Sequence, residues 1–168
     1  VNAYADGRAI YMTQGIMRFT ESDQHLAVAI SHELAHNVMG HIEAKKQNAT
    51  VGALGGLLLD IGFLALGVDT GATFSEAGQK AGAEAYSVEF EQEADYVGLY
   101  FLSRAGFPLD GAGDYWRLMA ANNPLSIIVR SSHPTAPERF VAIEKTIEEI
   151  KVKRAMDQPL VPEYLDAP

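Results

Sequence analysis

The chain has 168 residues, of which 48% are hydrophobic, and a formal net charge of -9 at pH 7. A chain of this length can bury a sizeable core in one domain without covalent cross-links. The acidic balance argues against nucleic acid or an anionic membrane surface as the main partner. Because the sequence has no cysteine, disulfides and thiolate metal sites are excluded, and any metal ligands must be nitrogen and oxygen atoms.

The first thirteen residues predict a β-hairpin. Asp6-Gly7 stands between two short β-prone runs and can supply the positive φ angles of a tight turn. The hairpin is either purely structural or presents an edge that binds an extended peptide by strand addition. The sequence begins at Val1 without an initiator Met, already inside this strand pattern, and we therefore expect part of the protein to precede it.

The dominant motif is His32-Glu33-Leu34-Ala35-His36, in an apolar-periodic run that predicts one helix from about Ser22 to Gln47. Helix residues four apart project from one face, so the two imidazoles can bind one metal ion. Glu33 lies about 100° round from His32, where its carboxylate can reach a water on the ion. This spacing is typical of zinc hydrolases, in which zinc activates water and polarises a carbonyl. We therefore predict one Zn²⁺ per chain, with Glu33 as general base and acid.

Residues 51–68 are almost entirely apolar and approach the length of a membrane span. Asp60 near the middle and five glycines argue against a true span, since a charge is costly in lipid and glycine weakens a helix. We favour an apolar lid or plug over the active-site cleft, or a surface that contacts membrane or unfolded client protein. A transmembrane span and a buried core helix remain the alternatives. Residues 69–83, rich in Gly and Ala, predict a flexible connection or a weak helix.

Apolar residues at core-facing helical spacing predict a second helix from about Glu84 to Ala105. Glu91 and Asp95 border its apolar stripe, whereas Glu89 and Glu93 fall on the opposite, solvated flank. We predict Glu91 as the third zinc ligand. We predict that Asp95, one turn further on, receives the free N–H of a ligating histidine and so fixes its tautomer.

The C-terminal part predicts two more helices with a loop between them. The first covers about residues 111–122 and carries Trp116, which we expect in the core or near the cleft. Thr135 and Glu138 form a capping-box pattern that begins the last helix, which continues to about Arg154.

His133 and Arg139 are the remaining site candidates. Peptide hydrolysis creates an oxyanion that an imidazole or a guanidinium can stabilise, so we assign both residues as catalytic candidates. The alternatives are that His133 stabilises the turn before the last helix and that Arg139 pairs with a nearby carboxylate such as Glu138.

These motifs together resemble the gluzincin metallopeptidases grouped with the HtpX heat-shock protease, the CAAX prenyl proteases and the periplasmic BepA-type proteases. The main likeness is His-Glu-x-x-His at 32–36 followed by Glu-x-x-x-Asp at 91–95. Three further segments are similar to that family: Asn2-Ala3-Tyr4-Ala5 with residues 10–15, Ala105-Gly106-Phe107, and Ser132-His133-Pro134 with Arg139.

The resemblance implies an α+β, mostly helical, zincin-like (minimal gluzincin) domain over residues 1–155, and we expect an extended or disordered tail at 156–168. It implies a zinc metalloendopeptidase with polypeptide substrates, in periplasmic or envelope quality control of unfolded or misassembled membrane proteins. In BepA-like relatives the histidine that corresponds to His133 is implicated as a switchable extra zinc ligand, which would make His133 inhibitory. The alternative is a non-catalytic or self-inhibited, chaperone-like client-binding module with a closed zinc site. The sequence defines neither the cleavage specificity nor the oligomeric state.

Overall fold

The computed structural model of the protein describes residues 2–85, 87–122, 133 and 137–164. In chain order its elements are β1 (Ala3–Ala5), β2 (Ile10–Met12), α1 (Gln14–Phe19), α2 (Asp23–Val38), α3 (His41–Ala65), α4 (Thr73–Glu84), α5 (Ser87–Arg104), α6 (Ala112–Asn122) and α7 (Pro137–Ala155). The fold is mostly helical with a small antiparallel sheet at the N-terminus, as predicted. The predicted loop up to residue 132 and the Thr135 cap lie outside the described residues.

The chain divides into two compact units, one of residues 1–39 with 88–168 and the other of residues 40–87. The larger unit contains the sheet, α1, α2, α6, α7 and almost all of α5, whereas the smaller one contains α3 and α4. The larger unit therefore contains both predicted metal-binding motifs. The single domain expected over residues 1–155 stays a prediction.

The N-terminal hairpin is confirmed. β1 and β2 pair antiparallel with Tyr4 opposite Tyr11, and the two rings stack with their centroids 4.9 Å apart. Gly7 adopts a φ of 97° in the turn, a left-handed conformation that glycine tolerates best. The Asp6 carboxylate accepts hydrogen bonds from the backbone N–H groups of Arg8 and Ala9.

The prediction of one continuous helix from Ser22 to Gln47 is wrong in its C-terminal part, because the helix is interrupted at Gly40. Helix α2 begins after Ser22, whose side chain accepts a backbone hydrogen bond in the first turn, and ends at Val38. Gly40 adopts a left-handed φ of 71°, which terminates a helix. A new helix, α3, then begins at His41 and continues through the apolar run.

Helices α3 and α4 form a hairpin with an unusually close backbone contact. Glycines line the contact on both helices, with Gly52 and Gly78 facing each other: Gly52 and Gly56 on α3, Gly78 and Gly82 on α4. A Cβ added to Gly52 would lie 2.0 Å from the carbonyl oxygen of Gly78, and one added to Gly56 would lie 1.9 Å from that of Phe74. Larger residues would force the helices apart. The weak helix expected within residues 69–83 is α4.

Asp60 is buried inside this hairpin, where it caps the start of α4. Its carboxylate accepts hydrogen bonds from the Thr70 hydroxyl at 2.6 Å and from the backbone N–H groups of Phe74 and Ser75 at 3.2 and 2.9 Å. The bond from Thr70, together with those from the backbone, lowers the pKa of Asp60 below its usual value. The charge is therefore satisfied within the hairpin.

The outer side of α3 is exposed. Only 6% of an apolar 18-residue window of this helix is buried, so the alternative of a buried core helix over residues 51–68 is wrong. By length and composition, α3 could cross a membrane.

In the larger unit, α2 and α5 pack closely where the two motifs lie. Gly98 of α5 faces α2, and a Cβ at Gly98 would lie 3.2 Å from both the Cα and the backbone nitrogen of His32. The neighbouring core includes Val28, Ala29, Leu99, Tyr100, Tyr115, Ile143 and Ile147. This close approach brings the acidic motif of α5 next to the histidines of α2.

Candidate metal centre

Helix α2 presents His32 and His36 from one buried face. One helical turn separates them, and their rings lie 4.7 Å apart at an interplanar angle of 83°. Their Nε2 atoms are 3.1 Å apart. Both residues are 2% exposed, so the two nitrogen atoms converge away from bulk water.

Glu91 of α5 and His133 bring two more donor groups to these histidines. Glu91 Oε2 lies 3.2 Å from His32 Nε2 and 2.9 Å from His133 Nδ1, and Glu91 Oε1 lies 3.3 Å from His36 Nε2. His133 Nδ1 lies 3.4 Å from His32 Nε2. One donor atom from each of the four residues lies within 4.8 Å of the other three.

The donor set fits a zinc ion. Zinc bound tetrahedrally by nitrogen and oxygen at about 2.0–2.1 Å has ligand atoms roughly 3.3 Å apart, the edge of the tetrahedron. The five separations measured among the four residues run from 2.9 to 3.4 Å. Three imidazoles and one carboxylate are also ligands that zinc accepts.

Asp95 and Arg139 lie behind His32. Asp95 Oδ1 is 3.0 Å from His32 Nδ1, on the side of the ring away from the cluster. Arg139 donates from Nε to Asp95 Oδ2 at 2.7 Å and from Nη2 to Oδ1 at 2.9 Å. Burial alone would raise the pKa of Asp95, but the charge of Arg139 and the contact with His32 lower it, so the carboxylate stays ionised.

Arg139 therefore pairs with Asp95, one of the two kinds of role that the sequence left open, although the expected carboxylate was Glu138. A third guanidinium nitrogen, Nη1, lies 3.4 Å from Glu91 Oε2. The side chain is 5% exposed and touches carboxylates from two turns of α5. Its position next to the donor cluster is thus fixed from α7.

His133 lies between the carboxylates of two different helices. Its Nε2 is 3.2 Å from Glu33 Oε1, while its Nδ1 contacts Glu91. Burial disfavours a charged imidazole, but in the metal-free cluster the negative charge of Glu91 and the contacts with both carboxylates raise the pKa of His133 to about 10. The predicted base and the predicted third ligand are therefore both in contact with one histidine ring.

Three residues near the site were not assigned to it from the sequence. Trp116 was expected in the core or near the cleft, and its ring lies 4.7 Å from that of His32 and 4.8 Å from the Arg139 guanidinium carbon. Gly98 allows α5 to approach α2 closely. The sequence feature that could have indicated this role is a glycine inside a predicted helix. Asn37, next to His36, accepts a hydrogen bond from the Gly7 N–H and donates one to the Ala9 carbonyl, at 2.8 and 3.2 Å.

Comparison with known proteins agrees with this site. The family model of peptidase family M48 matches residues 1–147. The chain belongs to peptidase family M48. M48 metallopeptidases depend on zinc, which agrees with the nitrogen and oxygen donors that converge in this chain. The family resemblance inferred from the motifs is confirmed.

This M48 chain is similar to several curated proteases. It is 28% identical to the mitochondrial metalloendopeptidase OMA1 of Schizosaccharomyces pombe, over 88% of the chain and 44% of that protein. It is 31% identical to the beta-barrel assembly-enhancing protease of Escherichia coli O157:H7, over 64% of the chain and 23% of that protein. A putative beta-barrel assembly-enhancing protease of Vibrio cholerae is 28% identical over 83% of the chain and 31% of its own length.

The chain thus spans less than half the length of these relatives. No solved structure matches it significantly.

Proposed function

We propose that this M48 chain is a zinc-dependent metalloendopeptidase domain that hydrolyses peptide bonds. The observation that carries this proposal is the convergence of His32, His36 and Glu91 from two helices, with donor atoms within 4.8 Å. We assign these three residues as the ligands of one zinc ion per chain, Glu33 as general base and acid, and Asp95 as the carboxylate that orients His32.

A bound zinc ion supplies Lewis acidity, which polarises the scissile carbonyl and makes water acidic enough to ionise near neutral pH. Glu33 is 3% exposed and lies next to His32 in the chain, which suits it to accept a proton from water and to deliver it to the leaving amine. Asp95 Oδ1 lies 3.0 Å from Nδ1 of His32, where a carboxylate favours the tautomer that keeps its proton on Nδ1 and directs the Nε2 lone pair at the cluster.

Arg139 is a candidate for stabilising the oxyanion, but its contacts favour a positioning role. Two of its nitrogens donate to Asp95, and the third lies 3.4 Å from Glu91 Oε2. A guanidinium held in this way orients both carboxylates, since its planar fork matches the geometry of a carboxylate.

The contacts of His133 favour a self-inhibited form of this peptidase. An imidazole that stabilises the oxyanion needs room for substrate beside it, whereas His133 contacts Glu33 at 3.2 Å and Glu91 at 2.9 Å. In the proposed closed form, His133 takes the fourth ligand position and engages the general base. The competing function is a non-catalytic client-binding module with a permanently closed site.

We propose polypeptide substrates, and a setting in periplasmic or envelope quality control of unfolded or misassembled membrane proteins. Two relatives support this setting by name, as proteases that enhance β-barrel assembly, and a third is a mitochondrial metalloendopeptidase. The position of the N-terminal hairpin supports the proposal that the substrate binds as an extended strand. Asn37, the residue after His36, holds the turn of this hairpin against α2.

The test measures bound zinc and casein cleavage for the wild type, Glu33→Gln and Glu91→Ala. Glu33→Gln is expected to keep one zinc per chain and to lose roughly 10²- to 10⁴-fold in cleavage rate, because only the proton-transfer group is removed. Glu91→Ala is expected to lose zinc. His25→Ala changes a histidine of α2 outside the donor cluster and should keep both properties.

His133→Ala separates the two candidate functions. The self-inhibited peptidase predicts retained zinc and faster cleavage, because the fourth position opens. The client-binding module predicts bound zinc with no turnover in the wild type and in His133→Ala alike. A wild-type cleavage rate in Glu33→Gln would remove Glu33 from its proposed role.

A further inference from the structure

One face of α3 is apolar over almost four turns. Large apolar side chains recur along it at helical spacing: Val51, Leu54, Leu57, Leu58, Ile61 and Leu64. Each of them is between 44% and 72% exposed. Over a rise of about 1.5 Å per residue, this apolar face is roughly 20 Å long. An exposed apolar surface of this length is unusual in a soluble protein and marks an interaction site.

The opposite side of the hairpin is polar. The α3 side chains named above point away from α4, because Gly52 and Gly56 occupy the contact with that helix. On α4, the exposed side chains are mostly polar and include Glu76, Gln79 and Lys80. The α3–α4 hairpin is therefore amphipathic as a whole, with an apolar α3 side and a polar α4 side.

The interior of the hairpin holds the charged residue that would otherwise oppose contact of α3 with an apolar environment. Asp60 is the single charged residue between Lys46 and Asp69. It is 6% exposed, and its carboxylate accepts hydrogen bonds from Thr70 and from the first turn of α4. The outward face thus carries no charge that lipid would have to solvate.

We propose that the α3–α4 hairpin lies in the plane of a lipid bilayer, with the apolar face of α3 in the hydrocarbon of one leaflet. The polar face of α4 then remains in water, as in monotopic amphipathic helices. Helix α3 has the length and composition of a membrane span, but a spanning hairpin would place Glu76 and Lys80 of α4 in lipid as well. In-plane insertion accommodates both helices, and it does not depend on the zinc chemistry proposed above.

The charge of the hairpin indicates which lipids it needs. Residues 40–87 contain five acidic and three basic residues, so this unit is acidic, like the whole chain. Attraction to anionic headgroups is therefore not the driving force, and insertion depends on buried apolar area. We expect binding to phosphatidylcholine vesicles that survives high salt, since screening acts on charges only.

Vesicle flotation with the whole chain tests this. The wild type should float with phosphatidylcholine vesicles both at low salt and in about 1 M NaCl. The variant Leu57→Ser/Leu58→Ser/Ile61→Ser should lose vesicle binding by roughly tenfold or more, because three side chains no longer enter hydrocarbon. The control Val141→Ser/Val152→Ser removes two exposed apolar side chains of α7 and should float like the wild type.

Because the chain has no cysteine, single cysteines can report the depth of each helix. An environment-sensitive dye on Leu58→Cys should shift to shorter wavelength with vesicles, whereas the dye on Ala77→Cys in α4 should not. Shifts at both positions would indicate a spanning hairpin and would overturn in-plane insertion. Wild-type protein that stays with the unbound fraction, or that floats only with anionic vesicles at low salt, would overturn the proposal. The proposal would also be overturned if the wild type formed a dimer and did not float, and if the triple variant were a monomer. In that case the apolar face would bind a second copy of the chain.

Discussion

Arg139 and Asp95 are joined by two hydrogen bonds, of 2.7 and 2.9 Å, and each residue is only 4% exposed. Asp95 also lies 3.0 Å from Nδ1 of His32. Under the proposed assignment, a side chain of α7 therefore orients a zinc ligand of α2 through a carboxylate of α5. Removing one partner of such a buried pair leaves the other charge uncompensated, so the pair is a sensitive point of the site.

Arg139→Lys should weaken zinc binding by about 10- to 100-fold, because lysine cannot donate two parallel hydrogen bonds to Asp95 and the support of His32 is lost. Competition with a chelator measures this. Arg117→Lys is the matched control, since that guanidinium is exposed and pairs with Asp114 and Glu144. Equal zinc affinity of Arg139→Lys and the wild type would show that Asp95 needs no such support.

Gly98→Ala should lower both thermal stability and zinc affinity. The added methyl group would lie 3.2 Å from the backbone of His32, so α2 and α5 must separate by a few tenths of an ångström. Overpacking of this kind costs about 1–3 kcal/mol. Differential scanning fluorimetry with and without zinc measures both effects. Gly62→Ala, where nothing lies within 4 Å of the new atom, should be neutral or stabilising, and the prediction fails if the two variants behave alike.

The lone tryptophan should report zinc binding directly. Trp116 lies 4.7 Å from the ring of His32, and the chain contains one tryptophan. Titrating zinc into the metal-free protein should change the emission of Trp116 and saturate at one equivalent. His32→Ala should abolish the change. Trp116→Phe should abolish the signal yet retain zinc by direct metal analysis, and an unchanged spectrum in the wild type would contradict the placement of zinc beside His32.

The backbone N–H groups at the start of α4 should lose their protection from hydrogen exchange in acid. Hydrogen bonds from Thr70 and the backbone lower the folded-state pKa of Asp60 below 3.8. The stabilisation that its ionised carboxylate gives to the start of α4 is therefore complete above pH 3.8. The contribution is lost as the pH falls through the lower folded-state pKa. Hydrogen exchange at Phe74 and Ser75 measures this. Asp60→Asn should exchange faster there already at neutral pH, whereas Glu76→Gln, on the exposed side of α4, should match the wild type.

The parts of the site that could be predicted from the sequence depend on the spacing of residues within single helices. His32 and His36 are one turn apart, and Glu91 lies beside the apolar stripe of a helix whose bounds were predicted to within three residues. These features depend on helical periodicity alone, which a sequence displays directly. The place of Glu91 beside that stripe predicted it as the third ligand, the family resemblance pointed to the same residue, and its donor atoms lie within 4.8 Å of those of the two histidines.

The remaining features depend on contacts between distant residues. Arg139 meets Asp95 across 44 positions of the chain, with no periodic signal, and the sequence suggested its neighbour Glu138 instead. The break at Gly40 was missed because an isolated glycine is tolerated within a helix unless its φ becomes positive. Likewise, the direction of the apolar face of α3 depends on which side the glycines of α4 occupy, and composition alone does not reveal this.

The donor residues are also separated in the time at which they are synthesised. His32 emerges from the ribosome 101 residues before His133, and Glu91 emerges between them. A nascent chain that ends before α5 offers two neighbouring imidazoles and no carboxylate of the set, which is a poor cage for a metal. Under the proposed assignment, the three ligands are all present only after translation has passed the start of α5, so a shorter nascent chain cannot complete the metal site.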